Sequence, residues 1–238
     1  ALLASRISFM NEIANLADKV GADVDLVRRG MATDRRIGAS FLFPGVGYGG
    51  SCFPKDVDAL GYTAKKNGMT LHLLEATNVV NREQKKVLYQ KIKDRLGDVA
   101  GKKVAVWGLA FKPRTDDMRE APSLTIIRAL LEEGATVTAY DPVAHETARA
   151  ELGDSITYVE DAYEALDGAD ALALVTEWNE FRALDLSALS ERVSVPRMAD
   201  LRNVYSRKEA LAGGFTVYDS VGRVGSAALD STMVQAAQ

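Results

Sequence analysis

Between residues 41 and 58 the chain reads FLFPGVGYGGSCFPKDVD, and its densest chemistry lies in residues 49–56. Two glycines precede Cys52, the only cysteine of the protein, and Phe53, Pro54, Lys55 and Asp56 follow it. Glycines at 45, 47, 49 and 50 allow positive φ and a close approach of backbone to a ligand. Pro54 favours the first turn of a helix. Cys52 is therefore expected beside a helix N-terminus, with Lys55 one turn in, and both features favour a nucleophilic thiolate. Asp56, four residues on, is expected on the same face of that turn, where it would hold a water or a substrate hydroxyl. The chemistry on offer is nucleophilic catalysis by sulfur. Two plainer readings stay open: a lone cysteine is most often a small core residue, and a glycine-rich loop is most often a turn.

A second group follows an apolar run. Residues 103–107 (KVAVW) read as a strand covered on both faces, and residues 108–112 (GLAFK) come next. In a doubly wound sheet this turn binds nucleotides. GLAFK is not a G-x-G-x-x-G fingerprint. With one glycine and a lysine, it would meet a diphosphate with a charge and not only with a helix N-terminus.

The elements that must carry these groups fall into two regions. Leu3, Ile7, Met10, Ala14 and Ala17 recur at helical spacing and predict a first helix with that buried face, ending near Gly21. Asp23 is placed to cap a short helix through Arg28, closed by Gly30. Helices are expected over residues 56–66 and 71–96, the latter with a basic run from Lys85 to Arg95 on a solvated face. Beyond Gly97, strands (103–107, 136–140, 156–159, 171–175, 193–199, 215–218) alternate with helices (123–133, 143–152, 162–166, 186–191, 206–211). That rhythm predicts an α/β fold in which a helical region, residues 1–96, precedes a Rossmann-like, doubly wound parallel sheet, residues 97–238. The stretch from Gly225 carries little pattern and is expected to fray. His72 and His145 are expected on solvated helix surfaces, and Trp107 and Trp178 in packing roles.

Composition excludes several classes of function. The 238 residues are 47% hydrophobic and 26% charged, enough to bury a core without disulfides or metals. No apolar run reaches the roughly 18 residues of a membrane span, and no signal peptide is visible. A net charge of −4 argues against a general nucleic-acid binder. Residues 1–100 carry 15 basic and 11 acidic side chains against 14 and 22 in the remainder, so the first region suits an anionic ligand better. One cysteine and two histidines leave no usual zinc site, and a reducing, cytoplasmic compartment is expected.

The run GYGGSCFPKD (residues 47–56) resembles the active-site segment of the UDP-glucose/GDP-mannose dehydrogenase family. The resemblance spans nearly the whole chain. It takes in Arg6, Ile7, Ser8, Asn11 and Glu12, then Asp34, Arg36, Ile37 and Gly38, WGLAFKPRTDDMR (residues 107–119), Tyr140, Asp141 and Pro142, Thr176, Glu177 and Trp178, and DLRN (residues 200–203). It implies a four-electron oxidation of the sugar C6 alcohol of a nucleotide sugar to a carboxylate, with two NAD reduced. A thiolate suits that task by trapping the aldehyde as a thiohemiacetal and carrying the acyl group as a thioester.

By this resemblance Cys52 is the nucleophile, Asp56 the carboxylate that orients water, and Lys55 a cation near the cofactor. The amides of Tyr48, Gly49 and Gly50 would lie against the sugar, with Phe53 beside it and Phe41, Leu42 and Phe111 in the same substrate site. Lys112 would hold the UDP phosphate, Arg202 the nucleotide end and Arg119 the NAD pyrophosphate. Arg36 would cross a homodimer interface to the partner's substrate. UDP-glucose is expected ahead of GDP-mannose. Members acting on N-acetylated sugars are ranked lower, because Ser51 stands where they carry a histidine. The family's N-terminal NAD-binding domain does not match this sequence, which starts at Ala1 with a helical pattern already running. The chain is therefore expected to be a fragment that dimerises and binds nucleotide sugar weakly without turnover. A non-catalytic nucleotide-sugar-binding module is the competing expectation.

Overall fold

A computed structural model of the protein describes residues 1–223. The chain opens with four helices: α1 (Leu2–Val20), α2 (Val24–Ala32), α3 (Phe53–Lys66) and α4 (His72–Leu96). Strands and helices then alternate: β1 (Lys103–Trp107), α5 (Pro122–Glu132), β2 (Thr136–Tyr140), α6 (His145–Leu152) and β3 (Thr157–Tyr158). The second half comprises β4 (Ala171–Leu174), α7 (Leu186–Arg192), β5 (Arg197–Asp200), α8 (Arg207–Ala212) and β6 (Val217–Ser220), with short 3₁₀ turns at Glu164–Leu166 and Asn179–Ala183. The six strands form one parallel sheet in the order β3-β2-β1-β4-β5-β6. The direction of winding reverses between β1 and β4, so ligands of this architecture are met beyond the carboxyl ends of those two strands. The pattern-poor stretch from Gly225 lies outside the described residues.

Each face of the sheet has its own core. On one, Val104, Val106 and Ile127 pack in a single cluster with Met10 and Ala14 of α1 and Leu88 and Ile92 of α4. Apolar packing therefore runs unbroken across residue 97, and α4 serves both the helical region and the sheet. On the other face Trp107 stacks on Phe181 at 4.9 Å, among Phe215 and Tyr218. The indole N–H of Trp107 donates to the Ala162 carbonyl, so its role is packing.

Four expectations are corrected. The buried face of α1 includes Ala4, Ser8 and Asn11 with Met10, Ala14 and Ala17, while Leu3 is exposed and Ile7 half-buried. Polar residues fit that stripe because each finds a partner: the Ser8 hydroxyl donates to the Thr77 carbonyl of α4, and the Asn11 side chain accepts from the Gly45 amide. Gly30 does not close α2. The Asp23 carboxylate caps its start by accepting from the amides of Asp25 and Leu26, and the helix runs on to Ala32.

The basic run of α4 is not uniformly solvated. Lys85 is buried and reaches the Glu120 carbonyl at 3.4 Å, and Lys91 turns inward to Asp18 and Asp219. Periodicity could not anticipate this, because the aliphatic stems pack while the ammonium groups find oxygens from distant segments. His145 is half-buried: its Nε2 accepts from the Asp141 amide at 3.2 Å, and its ring meets Tyr140 and Tyr158 edge-on. His72 is exposed on α4.

Candidate active site

The glycine loop ahead of α3 owes its shape to buried amide side chains of α1 and α4. Gly45 donates to Asn11 Oδ1 at 2.8 Å, and its carbonyl accepts from Gln84 Nε2 at 2.9 Å. Asn81 acts as a surrogate strand for Tyr48: its Oδ1 accepts the Tyr48 amide at 2.8 Å and its Nδ2 donates to the Tyr48 carbonyl at 3.0 Å. The Tyr48 hydroxyl donates to Asn78, and burial pushes its pKa up to about 12, so it stays protonated. Gly50 donates to the Arg119 carbonyl at 2.8 Å, which docks the loop on the sheet region. Glycine is required where the loop docks. A Cβ on Gly49 would lie 2.3 Å from the Glu120 carbonyl oxygen, and Gly50 has φ +82° with the Phe111 ring 2.7 Å from its would-be Cβ.

Cys52 occupies the N-cap position of α3, with Pro54 in the first turn behind it. Its thiol is exposed and lies 3.7 Å from the Ser51 hydroxyl. Helix α3 starts three residues earlier than the pattern suggested, which places the sulfur directly at the positive end of the helix dipole. Asp56 shares that turn, its amide donating to the Cys52 carbonyl at 2.8 Å. The Asp56 carboxylate turns instead to Lys55, 3.6 Å away, and both side chains stand in solvent.

The opposite wall comes from the sheet's switch point. The turn after β1 carries Phe111 and Lys112, and the segment after β4 carries Glu177. Arg202, in the loop after β5, ties these together. Its Nε donates to the Val175 carbonyl at 3.0 Å, its Nη2 to the Phe111 carbonyl at 3.3 Å, and Glu177 Oε2 lies 2.9 Å from Nε. The Lys112 ammonium lies 5.2 Å from the centre of the Phe111 ring and is otherwise open to ligand.

Loop and sheet edge enclose one cleft with two lobes. A lobe of about 430 Å³ is lined by Phe41, Phe43, Tyr48, Gly49, Phe53, Phe111, Lys112, Glu177 and Arg202. A second, about 460 Å³, shares Phe41, Gly49, Phe53, Phe111 and Lys112 and adds Cys52, Thr115 and Asp117. The cleft thus carries a thiol in one lobe and Arg202 in the other, with Phe111 and Lys112 lining both. Of the expected residues, Cys52, Phe41, Tyr48, Gly49, Phe53, Phe111, Lys112 and Arg202 meet there.

The remaining ones stand elsewhere. The Leu42 side chain is buried in the core with Met10 and Val46, because the loop alternates sides at this point. Arg36 is almost fully exposed in the turn after α2, paired with Asp34 at 2.6 Å and away from the cleft of its own chain. Arg119 lies at the rim, within electrostatic reach of the Cys52 sulfur, its guanidinium forked onto Asp117 at 2.7 and 2.9 Å. That fork holds the Asp117 carboxyl below the usual range. Phe43, Asp117 and Glu177 line the cleft without having been singled out for a role. Glu177 and Asp117 stood in quoted motifs and Phe43 in the glycine-rich stretch, and only the fold brings their side chains to the cleft wall.

Among the described residues no group of three or more His, Cys, Asp and Glu is placed to hold a metal, and no helix is long and apolar enough to cross a membrane. The described residues do not by themselves build a dinucleotide site. The amides of Leu109 and Ala110, which would face a pyrophosphate in such a fold, donate to Asp141 instead. Lys55 and Arg119 stand outside both lobes, each paired with a neighbouring aspartate.

At the switch point of a Rossmann-like sheet, Lys112 and Arg202 thus meet a cysteine presented by a glycine loop. Residues 1–83 match the central domain of the UDP-glucose/GDP-mannose dehydrogenase family and residues 105–207 its UDP-binding domain. The chain belongs to this family. It is 48% identical over 224 residues to a UDP-glucose 6-dehydrogenase of Rhizobium meliloti, matching 94% of this chain and 51% of that protein. A UDP-glucose 6-dehydrogenase of Bacillus subtilis is 46% identical, with 94% and 50% covered. The solved structure of a UDP-glucose dehydrogenase from Pyrobaculum islandicum superposes with a TM-score of 0.84 at 38% identity, over 94% of this chain and 49% of that one. The chain spans about half the length of the relatives it matches.

Proposed function

We propose that this chain supplies the reactive thiol and the nucleotide-sugar site of a UDP-glucose 6-dehydrogenase that makes UDP-glucuronate. The observation that carries the reading is the continuity of the cleft from the Cys52 thiol, past Phe53 and Phe111, to Lys112 and Arg202. A nucleoside diphosphate held by the two cations directs the attached hexose toward the sulfur. In the family's reaction NAD supplies the hydride acceptor for both oxidations. The part of this chain lies between and after them. The Cys52 thiolate adds to the C6 aldehyde, forming a C–S bond as the C=O π bond opens, and the resulting alkoxide takes a proton from water. Once the carbon is at the thioester level, water attacks it, the C–S bond breaks, and the carboxylate leaves with the thiolate restored.

Of the two candidate carboxylates for orienting the water, Asp117 lines the Cys52 lobe and Asp56, in the same turn as Cys52, faces Lys55 in solvent. Arg36, exposed and out of its own cleft, suits a role across a homodimer interface. The free thiol suits a reducing, cytoplasmic setting. UDP-glucose is favoured over GDP-mannose by the names of the Rhizobium meliloti and Bacillus subtilis relatives.

Alkylation tests the reading directly, because a single cysteine gives a single mass increment. Iodoacetamide is expected to label Cys52 faster than a model thiol at neutral pH, and UDP-glucose to protect it while GDP-mannose protects less. Slow labelling that UDP-glucose leaves unchanged points to the non-catalytic binding module; better protection by GDP-mannose reassigns the substrate.

A further inference from the structure

Asp141, the residue after β2, is fully buried, yet its carboxylate pairs with no cation among the described residues. Instead it accepts from five donors in three loops. Oδ2 takes the amides of Leu109 at 2.7 Å and Ala110 at 3.1 Å, together with the indole N–H of Trp178 at 3.1 Å. Oδ1 takes the amides of Val143 and Ala144, both at 3.0 Å, which starts α6. The carboxylate therefore pins the turn after β1 to the segment after β4. A second link, from the Thr176 hydroxyl to the Ala110 carbonyl at 2.6 Å, parallels it.

In a dinucleotide-binding sheet the acidic group after β2 takes the ribose hydroxyls, and the amides after β1 take the diphosphate. Here those two sets of groups satisfy each other, and neither remains for a ligand. The diphosphate must then be met one step further along the same turn, by side chains. Phe111 and Lys112 follow Ala110 directly, and Arg202 braces the Phe111 carbonyl from the other side. A buried carboxylate with every lone pair engaged has one stable arrangement, which makes it a rigid anchor.

We propose that Asp141 is the positioning residue of the nucleotide-sugar site, fixing the turn that aims Lys112 at the diphosphate while closing the ordinary ribose and phosphate contacts of the sheet edge. The inference rests on the reading above that the diphosphate lies at Lys112.

Calorimetric titration of UDP into the chain, with Asp141→Asn, Lys112→Ala and the double variant, tests it as a cycle. Asp141→Asn keeps the volume but sets an NH₂ against donors, and is expected to weaken UDP about tenfold. In the Lys112→Ala background the same change is expected to cost less than about twofold, because the group it misplaces is gone. Should Asp141→Asn fail to fold, Trp178→Phe removes one donor, leaves the carboxylate, and is expected to give about a threefold loss with the same coupling. Losses that multiply independently, or an Asp141→Asn protein that binds like wild type, overturn the positioning role. A loss that disappears with 2′-deoxy-UDP shows a ribose contact and overturns it too. A wild-type chain that does not bind UDP overturns the reading of the cleft and this proposal with it, an outcome distinct from the others.

Discussion

Lys112 and Cys52 line the same lobe of the cleft, and each has a setting that its neighbours in sequence largely provide. Cys52 owes its place to the helix that Pro54 starts, and Lys112 to the end of β1 four residues before Phe111. The lysine is free to meet an anion because the nearest ring, Phe111, engages it only through its face. Lys112→Ala is therefore expected to weaken UDP binding by about 10–100-fold, the range of one charge-assisted hydrogen bond, with little change in melting temperature. Calorimetry beside a thermal melt checks both halves of that statement; equal affinity would remove Lys112 from the site.

At the scale of elements, the glycine loop carries aromatic walls of the cleft on one side and roots Leu42 and Val46 in the core on the other. It depends on borrowed hydrogen bonds from α1 and α4 and on the close docking of residues 49 and 50 against the turn near Glu120 and Phe111. Gly50→Ala should cost about 1–2 kcal/mol from its left-handed backbone alone. The added methyl also meets the Phe111 ring, so Phe111 must shift within the cleft. The expected signature is a lower denaturant midpoint together with weaker UDP-glucose binding. A variant that loses stability but binds normally would show that Phe111 does not shape the site.

Across the whole molecule, α4 joins the helical region to the sheet, and Lys91 is its polar fastening. Its ammonium lies 2.8 Å from Asp18 of α1 and 3.5 Å from Asp219 of β6, and donates to the Ser220 carbonyl at 2.9 Å. Burial raises the Asp18 pKa, with Lys91 opposing that rise. Lys91→Met removes the opposing charge beside a largely buried carboxylate and is expected to destabilise by about 3 kcal/mol at neutral pH. The sign of the pH dependence follows. A carboxyl whose native pKa exceeds its unfolded value stabilises below the unfolded value and loses that contribution as pH rises through the native one. The deficit of Lys91→Met should therefore be largest near pH 7 and shrink on acidification toward pH 4, as urea melts across that range would show. A deficit that grows with acid would contradict this account.

Local pattern determined much of this protein. Short apolar-rich runs between turn residues and 3.6-residue spacing placed the strands and most helices, and β1 and β2 match their predicted bounds. The glycines, Cys52, Pro54 and Lys112 were legible for a similar reason: backbone freedom, a helix start and a charge act within a few residues. Tertiary structure alone decided what holds them. Asn81 grips Tyr48 from 33 positions away, Asn11 grips Gly45 from 34, and Asp141 gathers amides from loops 31 and more residues distant. A buried polar side chain has the same letter as an exposed one, and its partner is fixed only when the fold excludes water from both. The same reason turned Lys85 and Lys91 inward and sent Leu42 into the core, where chain direction and packing, not composition, settle which side a residue faces.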